Sequence, residues 1–208
     1  MRASSDVRVR PVASLTEFFK ESVSTAMRKQ GLDADDHTAY YVVNLLTLFA
    51  RSEALHHGAE GPVFRPLASM LAEAVEAPSA EQRNFALQRL GDVSLFVAGF
   101  FGESLSQKLV DLDYYVRMGG SAYGSLSENV RGSLRGRVFA AVFAELAAKF
   151  QDFVDVLSEV RDSARGSGDA DVLRLYESWL RTGSKRAARL LRKLGIEPSA
   201  ALDLSIRH

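Results

Sequence analysis

The placement of proline constrains the fold of this chain more than any other feature of its sequence. All five prolines, at positions 11, 62, 66, 78 and 198, lie where periodic apolar segments begin or end. Proline inside a helix removes a backbone hydrogen bond and clashes with the preceding turn, so long proline-free tracts with helical periodicity favour helix. Apart from residues 7–10, no segment shows the two-residue alternation of a strand. The sequence therefore predicts an all-α fold.

Apolar residues at helical spacing predict four helices in the first half of the chain. The first begins at a capping box at Ser14 and ends at Gly31, and the second spans about 36–56. A shorter third helix covers about 67–75. A fourth begins at a second capping box at Ser79 and continues toward Phe101.

The clearest periodic signal lies in the second half of the chain. Spacings of four and three separate the members of one apolar seam, which are Phe139, Phe143, Leu146, Phe150, Phe153, Leu157 and Val160. Flanking valines such as Val138 widen this seam beyond that of a two-stranded coiled coil, so we expect one long helix in a bundle. Two further helices are expected around Trp179 and at about 184–194. The total is seven to eight helices.

Composition and length are those of one soluble globular domain, because 47% hydrophobic and 25% charged residues in a chain of 208 favour neither disorder nor a membrane protein. Lys+Arg and Asp+Glu number 26 each, so no net charge draws the whole chain to nucleic acid or an anionic membrane. The chain has no cysteine, which excludes disulfides and thiolate chemistry. It also lacks a secretory signal and a membrane span, so we expect a cytoplasmic protein.

We expect residues 1–208 to form a single all-α domain. Residues 1–12 are predicted to be a flexible N-terminus, and residues 196–208 a tail. The stretch 119–137 holds five glycines and little apolar surface, which indicates a hinge.

The segment LVDLDYYVRMGG, residues 109–120, places charged residues among apolar ones. On a helix, three faces of residues 104–118 carry apolar side chains, with Leu105, Leu109, Leu112 and Val116 on one, Val110, Tyr114 and Met118 on another and Tyr115 on the third. A helix that is apolar on all sides is buried on all sides, so we expect residues 104–118 to be the central buried helix of the bundle.

Charged groups in a central helix need partners inside the protein, because an unpaired buried carboxylate is strongly unfavourable. Asp113 has Arg117 four residues on, whereas Asp111 and Asp92 must reach neighbouring helices. Nearby glycines are expected to permit bends or close helix contacts, which a ligand could also use. The sequence leaves open a buried polar network that fixes helix packing and a small-molecule pocket. The candidate residues for either are Asp92, Lys108, Asp111, Asp113, Tyr114, Arg117 and Tyr123.

The run RLGDVSLFVAGFFGESLSQKLVDLDYYVRMGGSAYG, residues 89–124, resembles a widespread family of uncharacterised bacterial proteins of about this length. The likeness rests on the order of the glycine-aspartate, GFF and DYY segments and extends to the tryptophan and TGS segment near Trp179. The resemblance implies a bacterial cytosolic protein, and it supplies no reaction and no ligand.

Motifs for catalysis or cofactor binding fail one by one. Glu53 and His56 have the Glu-x-x-His spacing of di-metal sites in helical bundles, but a second pair is absent. The acidic cluster at 33–36 lacks the glycine and distal glutamate of a calcium loop and indicates a helix start. Haem in a helical bundle would have only His37 as a well-placed ligand. We therefore expect no metal and no cofactor.

One basic patch lies in the C-terminal segment RTGSKRAARLLRKLG. Its cations are Arg181, Lys185, Arg186, Arg189, Arg192 and Lys193. Such a helix could meet nucleic acid, an acidic protein or a membrane surface, or it could simply present a solvated face.

Three functions follow as hypotheses. The first is a non-catalytic protein that works by association, as a homo-oligomer or an adaptor, because apolar aromatic residues are abundant and every catalytic motif fails. The second is a small-molecule binder or unrecognised enzyme that uses a polar pocket around Asp92, Asp113, Tyr114 and Arg117. The third is binding of nucleic acid or of an acidic partner through the basic C-terminal helix.

Overall fold

The computed structural model describes residues 15–51, 65–105, 111–132, 134–165, 179 and 182–193. These residues form eight helices and no strand, so the all-α prediction is confirmed. In chain order the helices are α1 (Leu15–Gln30), α2 (Asp36–Arg51), α3 (Leu67–Glu76), α4 (Ala80–Leu105), α5 (Leu112–Val130), α6 (Leu134–Ala148), α7 (Phe150–Arg165) and α8 (Lys185–Lys193). The predicted N-terminus 1–12 and tail 196–208 lie outside the described residues. Among the described helices, none combines the length and the apolar character needed to cross a membrane.

Two helix boundaries form as the sequence predicts. Gly31 ends α1 in the left-handed region with φ +65°, and the amide of Leu32 donates to the carbonyl of Met27 at 3.0 Å. Only glycine adopts this conformation without a steric penalty, which explains why the helix stops there. At the start of α4, Ser79 Oγ accepts the backbone N–H of Gln82 at 3.2 Å. Ser79 is therefore the N-cap that its capping box predicts.

The helix at the centre of the bundle is α4, and the prediction of a central buried helix at 104–118 is wrong. Helices α3, α5 and α7 all pack against α4, and every residue from 93 to 99 is buried. Because α4 continues to Leu105 and α5 begins only at Leu112, the faces counted along 104–118 belong to two different elements. The apolar stretch of α4 is the one that neighbours surround on several sides.

The predicted hinge at 119–137 is also wrong over most of its length. Helix α5 continues through this glycine-rich stretch to Val130, a turn follows at Arg131–Gly132, and α6 begins at Leu134. The glycines serve packing instead. A Cβ atom at buried Gly119 would lie 2.3 Å from the ring of Phe150, so a larger residue would drive α5 away from α7.

Glycine also brings α4 close to its neighbours at two contacts. A Cβ at Gly91 would lie 2.6 Å from the ring of Tyr123 on α5. A Cβ at Gly99 would lie 2.4 Å from Cβ of Leu157 on α7. The expectation that glycines allow close helix contacts is confirmed at these positions. At Gly124, by contrast, an added Cβ would meet Ala147 Cβ at 4.0 Å, an ordinary contact distance.

The long helix predicted at 139–160 is divided into α6 and α7 at Lys149. Backbone hydrogen bonds continue across the break, since the Lys149 amide donates to Glu145 and the Phe153 amide to Lys149. Lys149 Nζ donates to the carbonyl of Asp33 at 2.6 Å and to Glu145 Oε1 at 2.7 Å, which ties the break to the loop before α2. The seam residues from Phe143 to Val160 are buried as predicted, but Phe139 is 52% exposed.

Side chains of α1 to α7 share one apolar core. Helix α8 stands apart from it, because its buried residues Ala187 and Leu191 form a small separate cluster with Trp179 and Leu190. The attachment of α8 to α7 must therefore depend heavily on polar contacts.

The close contact at Gly99 predicts a specific stability difference. Gly99→Ala is expected to lower the free energy of unfolding by about 1–3 kcal/mol, since the added methyl group overpacks α4 against the Leu157 Cβ. Gly124→Ala is the matched control, expected to be neutral or up to about 1 kcal/mol stabilising because alanine is the better helix former. Chemical denaturation of both variants checks this, and equal effects would contradict the packing role of Gly99.

Candidate functional site

A single carboxylate oxygen joins three helices inside the bundle. The hydroxyl groups of Tyr41 on α2 and Tyr123 on α5 both donate to Asp92 Oδ1 on α4, each at 2.6 Å. Gln88 Nε2 extends the network by donating to the Tyr41 hydroxyl at 3.0 Å. Distances of this length are typical of charge-assisted O–H···O⁻ bonds. The four side chains therefore form one connected polar junction.

Neighbouring positions in the sequence build this junction. Gly91 leaves room for the Tyr123 ring on the surface of α4, which carries the tyrosine hydroxyl to the adjacent residue, Asp92. Gln88 lies one turn before Asp92 and so faces the same side of α4. Phe143 of α6 encloses both rings, with centroids 5.5 Å from Tyr41 and 5.8 Å from Tyr123.

Burial makes the carboxyl group of Asp92 unusually hard to ionise. Although the residue keeps some exposed surface, protein surrounds its carboxyl group, and this desolvation raises the pKa of Asp92 to about 6 against the opposing effect of the two tyrosine bonds. The pKa of Tyr41 and that of Tyr123 are raised as well, mainly by burial and then by the nearby carboxylate. Both tyrosines are therefore firm hydrogen-bond donors, with no tendency to act as phenolate bases.

The structure brings Asp92 and Tyr123 together but places Asp111, Asp113, Tyr114 and Arg117 elsewhere. Asp113 lies ten residues before Tyr123 on α5, about 15 Å along the helix axis. Its partner is Arg117, at 3.8 Å, whose side chain is 83% exposed. Asp111 is an exposed residue at the start of α5. The predicted pocket formed jointly by Asp92, Asp113 and Arg117 is therefore wrong, because Asp113 and Arg117 lie at the other end of α5, away from the Asp92 junction, and Arg117 faces solvent.

The last two predicted pocket residues are Tyr114 and Lys108. Tyr114 is half-buried against the core with its ring 6.0 Å from that of Tyr115, and Lys108 lies outside the described residues. Sequence reasoning missed Tyr41 entirely. No spacing within α2 points to Asp92, because the contact depends on how α2 crosses α4 and α6.

A groove opens beside the polar junction, between α4, α5 and α6. It has a volume of about 670 Å³ and is lined by Glu81, Asn84, Phe85, Gln88, Leu126, Asn129, Val130, Gly132, Gly136, Phe139 and Phe143. Phe85 is 65% exposed and Phe139 is 52% exposed, although both are large apolar side chains. Val138, next to Phe139, is 50% exposed. We name this feature the α4–α5–α6 groove.

An aromatic series connects the groove to the junction. Phe139 stacks on Phe143 with ring centroids 6.3 Å apart, and Phe143 in turn stacks on Tyr123. Gln88 also belongs to both features, since it lines the groove and binds the Tyr41 hydroxyl. The inner surface of the groove is therefore held in place by the junction behind it.

Carboxamides form the polar part of the groove. Asn129 Nδ2 on α5 donates to Asn84 Oδ1 on α4 at 3.0 Å, which bridges the two helices at the groove surface. This bond and the bond from Gln88 each use only part of the hydrogen-bonding capacity of a side-chain amide.

Several cations of the predicted basic patch pair with acidic side chains of α7. Lys185 Nζ lies 2.7 Å from Asp152, Arg186 pairs with Asp162, and Arg189 Nη2 lies 3.2 Å from Glu159. Arg189 also donates to the carbonyl of Lys29 at 2.6 Å, which links α8 to the end of α1. These acids lie on α7, far from α8 in the sequence, so the sequence of α8 alone does not reveal them.

A buried aspartate fixes the start of α8. Asp155 is 3% exposed and accepts hydrogen bonds from Ser184 Oγ at 2.6 Å, from Gln151 Nε2 at 3.0 Å and from the backbone N–H of Arg186 at 3.0 Å. Ser184 Oγ also accepts the Ala187 amide, so Ser184 is the N-cap of α8. Burial raises the pKa of Asp155, and these bonds oppose the rise.

Ionic contacts with α7 therefore engage Lys185, Arg186 and Arg189 of the predicted patch. Arg192 and Lys193 are exposed, and Arg181 lies outside the described residues. A nucleic-acid or acidic-partner site built from Arg186 and Arg189 loses its basis, because both side chains already bind α7.

Across the described part of the chain, no three His, Asp or Glu side chains cluster in a way that could hold a metal ion. His37 lies exposed at the start of α2, where its Nδ1 is 2.8 Å from Asp35 Oδ1. Comparison with protein-family models, curated proteins and solved structures finds no match to this chain. The groove and the junction behind it together form the candidate functional site.

The raised pKa of Asp92 predicts a pH dependence of stability. Since the folded-state pKa of about 6 exceeds the ordinary value of 3.8, the protonated carboxyl group stabilises the fold fully below about pH 4, and this contribution is lost as the pH rises through 6. The Asp92→Asn variant keeps a neutral oxygen acceptor at this position. As the pH rises from about 4 to above 6, the free energy of unfolding of the unsubstituted chain should fall by up to about 3 kcal/mol relative to that variant. Denaturant unfolding at several pH values checks this, and parallel profiles for the two proteins would contradict it.

Proposed function

We propose that this chain is a non-catalytic association protein that binds a protein partner through the α4–α5–α6 groove. The observation that carries the proposal is the exposure of Phe85 and Phe139, two aromatic side chains from different helices that line the same groove. Large apolar side chains that gather at one concave surface mark an interaction site more often than scattered ones do.

The energetics favour a partner that covers both rings. Fully burying one phenylalanine side chain contributes about 1.5–3 kcal/mol, so the exposed rings of Phe85 and Phe139 offer a substantial part of a binding energy. Aromatic residues in concave surfaces also tend to dominate interface energetics. The groove thus has the composition of an interface centre.

The groove is built on rigid elements, which supports recognition. Its inner side chains Gln88 and Phe143 are held by Tyr41 and Tyr123, and these two are held by Asp92. A surface that is ordered before binding loses little conformational entropy when a partner arrives.

The buried carboxylates support a non-catalytic role. Asp92 accepts hydrogen bonds from tyrosines of two neighbouring helices, Asp155 accepts one from the α8 N-cap Ser184, and neither aspartate lines the groove. Their bonds account for helix packing without invoking a reaction. The partner is a second copy in a homo-oligomer or a different protein in an adaptor. On sequence grounds alone, the proposal also takes this chain to be a soluble bacterial protein of the cytoplasm.

Site-specific photo-crosslinking tests this proposal. With p-benzoylphenylalanine in place of Phe85, irradiation of cells that naturally produce the chain should give a discrete protein adduct, and Phe139→Ser should reduce it strongly because one wall of the groove is lost. The mass of the adduct separates a second copy from another protein.

The matched control carries the same crosslinker at Val75, which is 67% exposed on α3 and does not line the groove. Absence of an adduct from position 85, or the same adduct from position 75, would contradict an association site in the groove.

A further inference from the structure

We infer that the occupant of the α4–α5–α6 groove is an extended peptide segment whose main chain is bound by the carboxamides of Asn84 and Asn129. This inference rests on the proposed association function and specifies the partner at the same site. The carboxamide pair supplies the hydrogen bonds, and Phe85 and Phe139 supply the apolar contact.

The hydrogen bonds within the groove leave a defined set of groups available. Asn84 uses its Oδ1 to accept from Asn129, so Asn84 Nδ2 remains a donor and Asn129 Oδ1 remains an acceptor. Gln88 donates to Tyr41 through Nε2, which leaves Gln88 Oε1 as a second acceptor. No side chain or carbonyl of the residues described in the structure binds these three atoms.

Donors and acceptors side by side match a peptide main chain. An extended segment presents N–H and C=O groups that have no partner within the segment, and a side-chain amide can accept from one and donate to the other. A helical partner would bring no such groups, because its main chain is satisfied internally except at its ends. The available amide groups therefore favour an extended occupant over a helix.

The aromatic walls determine where the side chains of the occupant lie. Successive side chains of an extended segment point in opposite directions, so one apolar side chain can enter between Phe85 and Phe139 while its neighbours point outward. The groove volume of about 670 Å³ lies within the range of about 300–1,000 Å³ that is typical of small-ligand sites. We therefore expect an apolar residue at the position that faces the two rings.

Methylation of the peptide nitrogen tests the main-chain contact directly. The probes are the capped tripeptide acetyl-Ala-Leu-Ala-methylamide and three analogues, each N-methylated at one residue. Binding to the full chain is followed through the NMR signals of the Asn and Gln side-chain amides, up to about 20 mM probe to reach millimolar affinities. The parent peptide should shift the Asn84 and Asn129 signals, and at least one analogue should bind about fivefold more weakly, as loss of one hydrogen bond implies.

Variants assign the effect to the carboxamides. Asn129→Ala removes an exposed side chain and should abolish the difference between parent and methylated peptides. Asn44→Ala on α2, which does not line the groove, is the control and should preserve that difference.

Equal binding of all four peptides, shifts confined to amides outside the groove, or no binding at all would overturn the extended-peptide inference. Crosslinking from position 85 would still support an association site in that event. Failure of the crosslinking experiment would remove the association function and this inference together.

Discussion

The junction at Asp92 is the interaction on which the rest of the structure depends. One carboxylate oxygen accepts hydroxyl bonds from α2 and α5, so three helices that are distant in sequence meet at one atom. The close approach requires glycine at position 91, because any side chain there would displace the Tyr123 ring. Desolvation raises the pKa of Asp92, and the two short hydrogen bonds from the tyrosines oppose this rise.

The junction and the groove are parts of one arrangement. Phe143 packs on both tyrosines and also lines the groove, while Gln88 binds Tyr41 from the groove side. Beyond this point Phe139 continues the apolar seam of α6 but is left half exposed. The same seam that forms the core thus continues onto an open surface, which explains why the groove lies at the end of the core. Helix α8 is held differently, through Asp155, Ser184 and ionic contacts with α7.

Local signals predicted much of the fold. Gly31 and Ser79 marked helix ends because their effects act within a few residues, and the glycines of α4 indicated close packing. The prediction of one helix over 104–118 is wrong because Asp111 is extended ahead of α5, although neither proline nor glycine precedes it in this segment. Contacts between helices that are distant in sequence could not be predicted, because no local pattern encodes them. Asp92 and Tyr123 were identified as candidates, but Tyr41, the groove and the acidic partners of α8 depend on how helices are arranged in space.

A double-mutant cycle on the two tyrosines tests most directly whether Asp92 joins the three helices. Tyr41→Phe and Tyr123→Phe should each lower the free energy of unfolding by about 1–3 kcal/mol, because each removes a hydrogen bond to a buried carboxylate. The double variant should lose at least about 0.5 kcal/mol more than the sum of the two, since the first substitution leaves Asp92 one donor and the second leaves it none. Additive losses, or single variants as stable as the unsubstituted chain, would contradict the account.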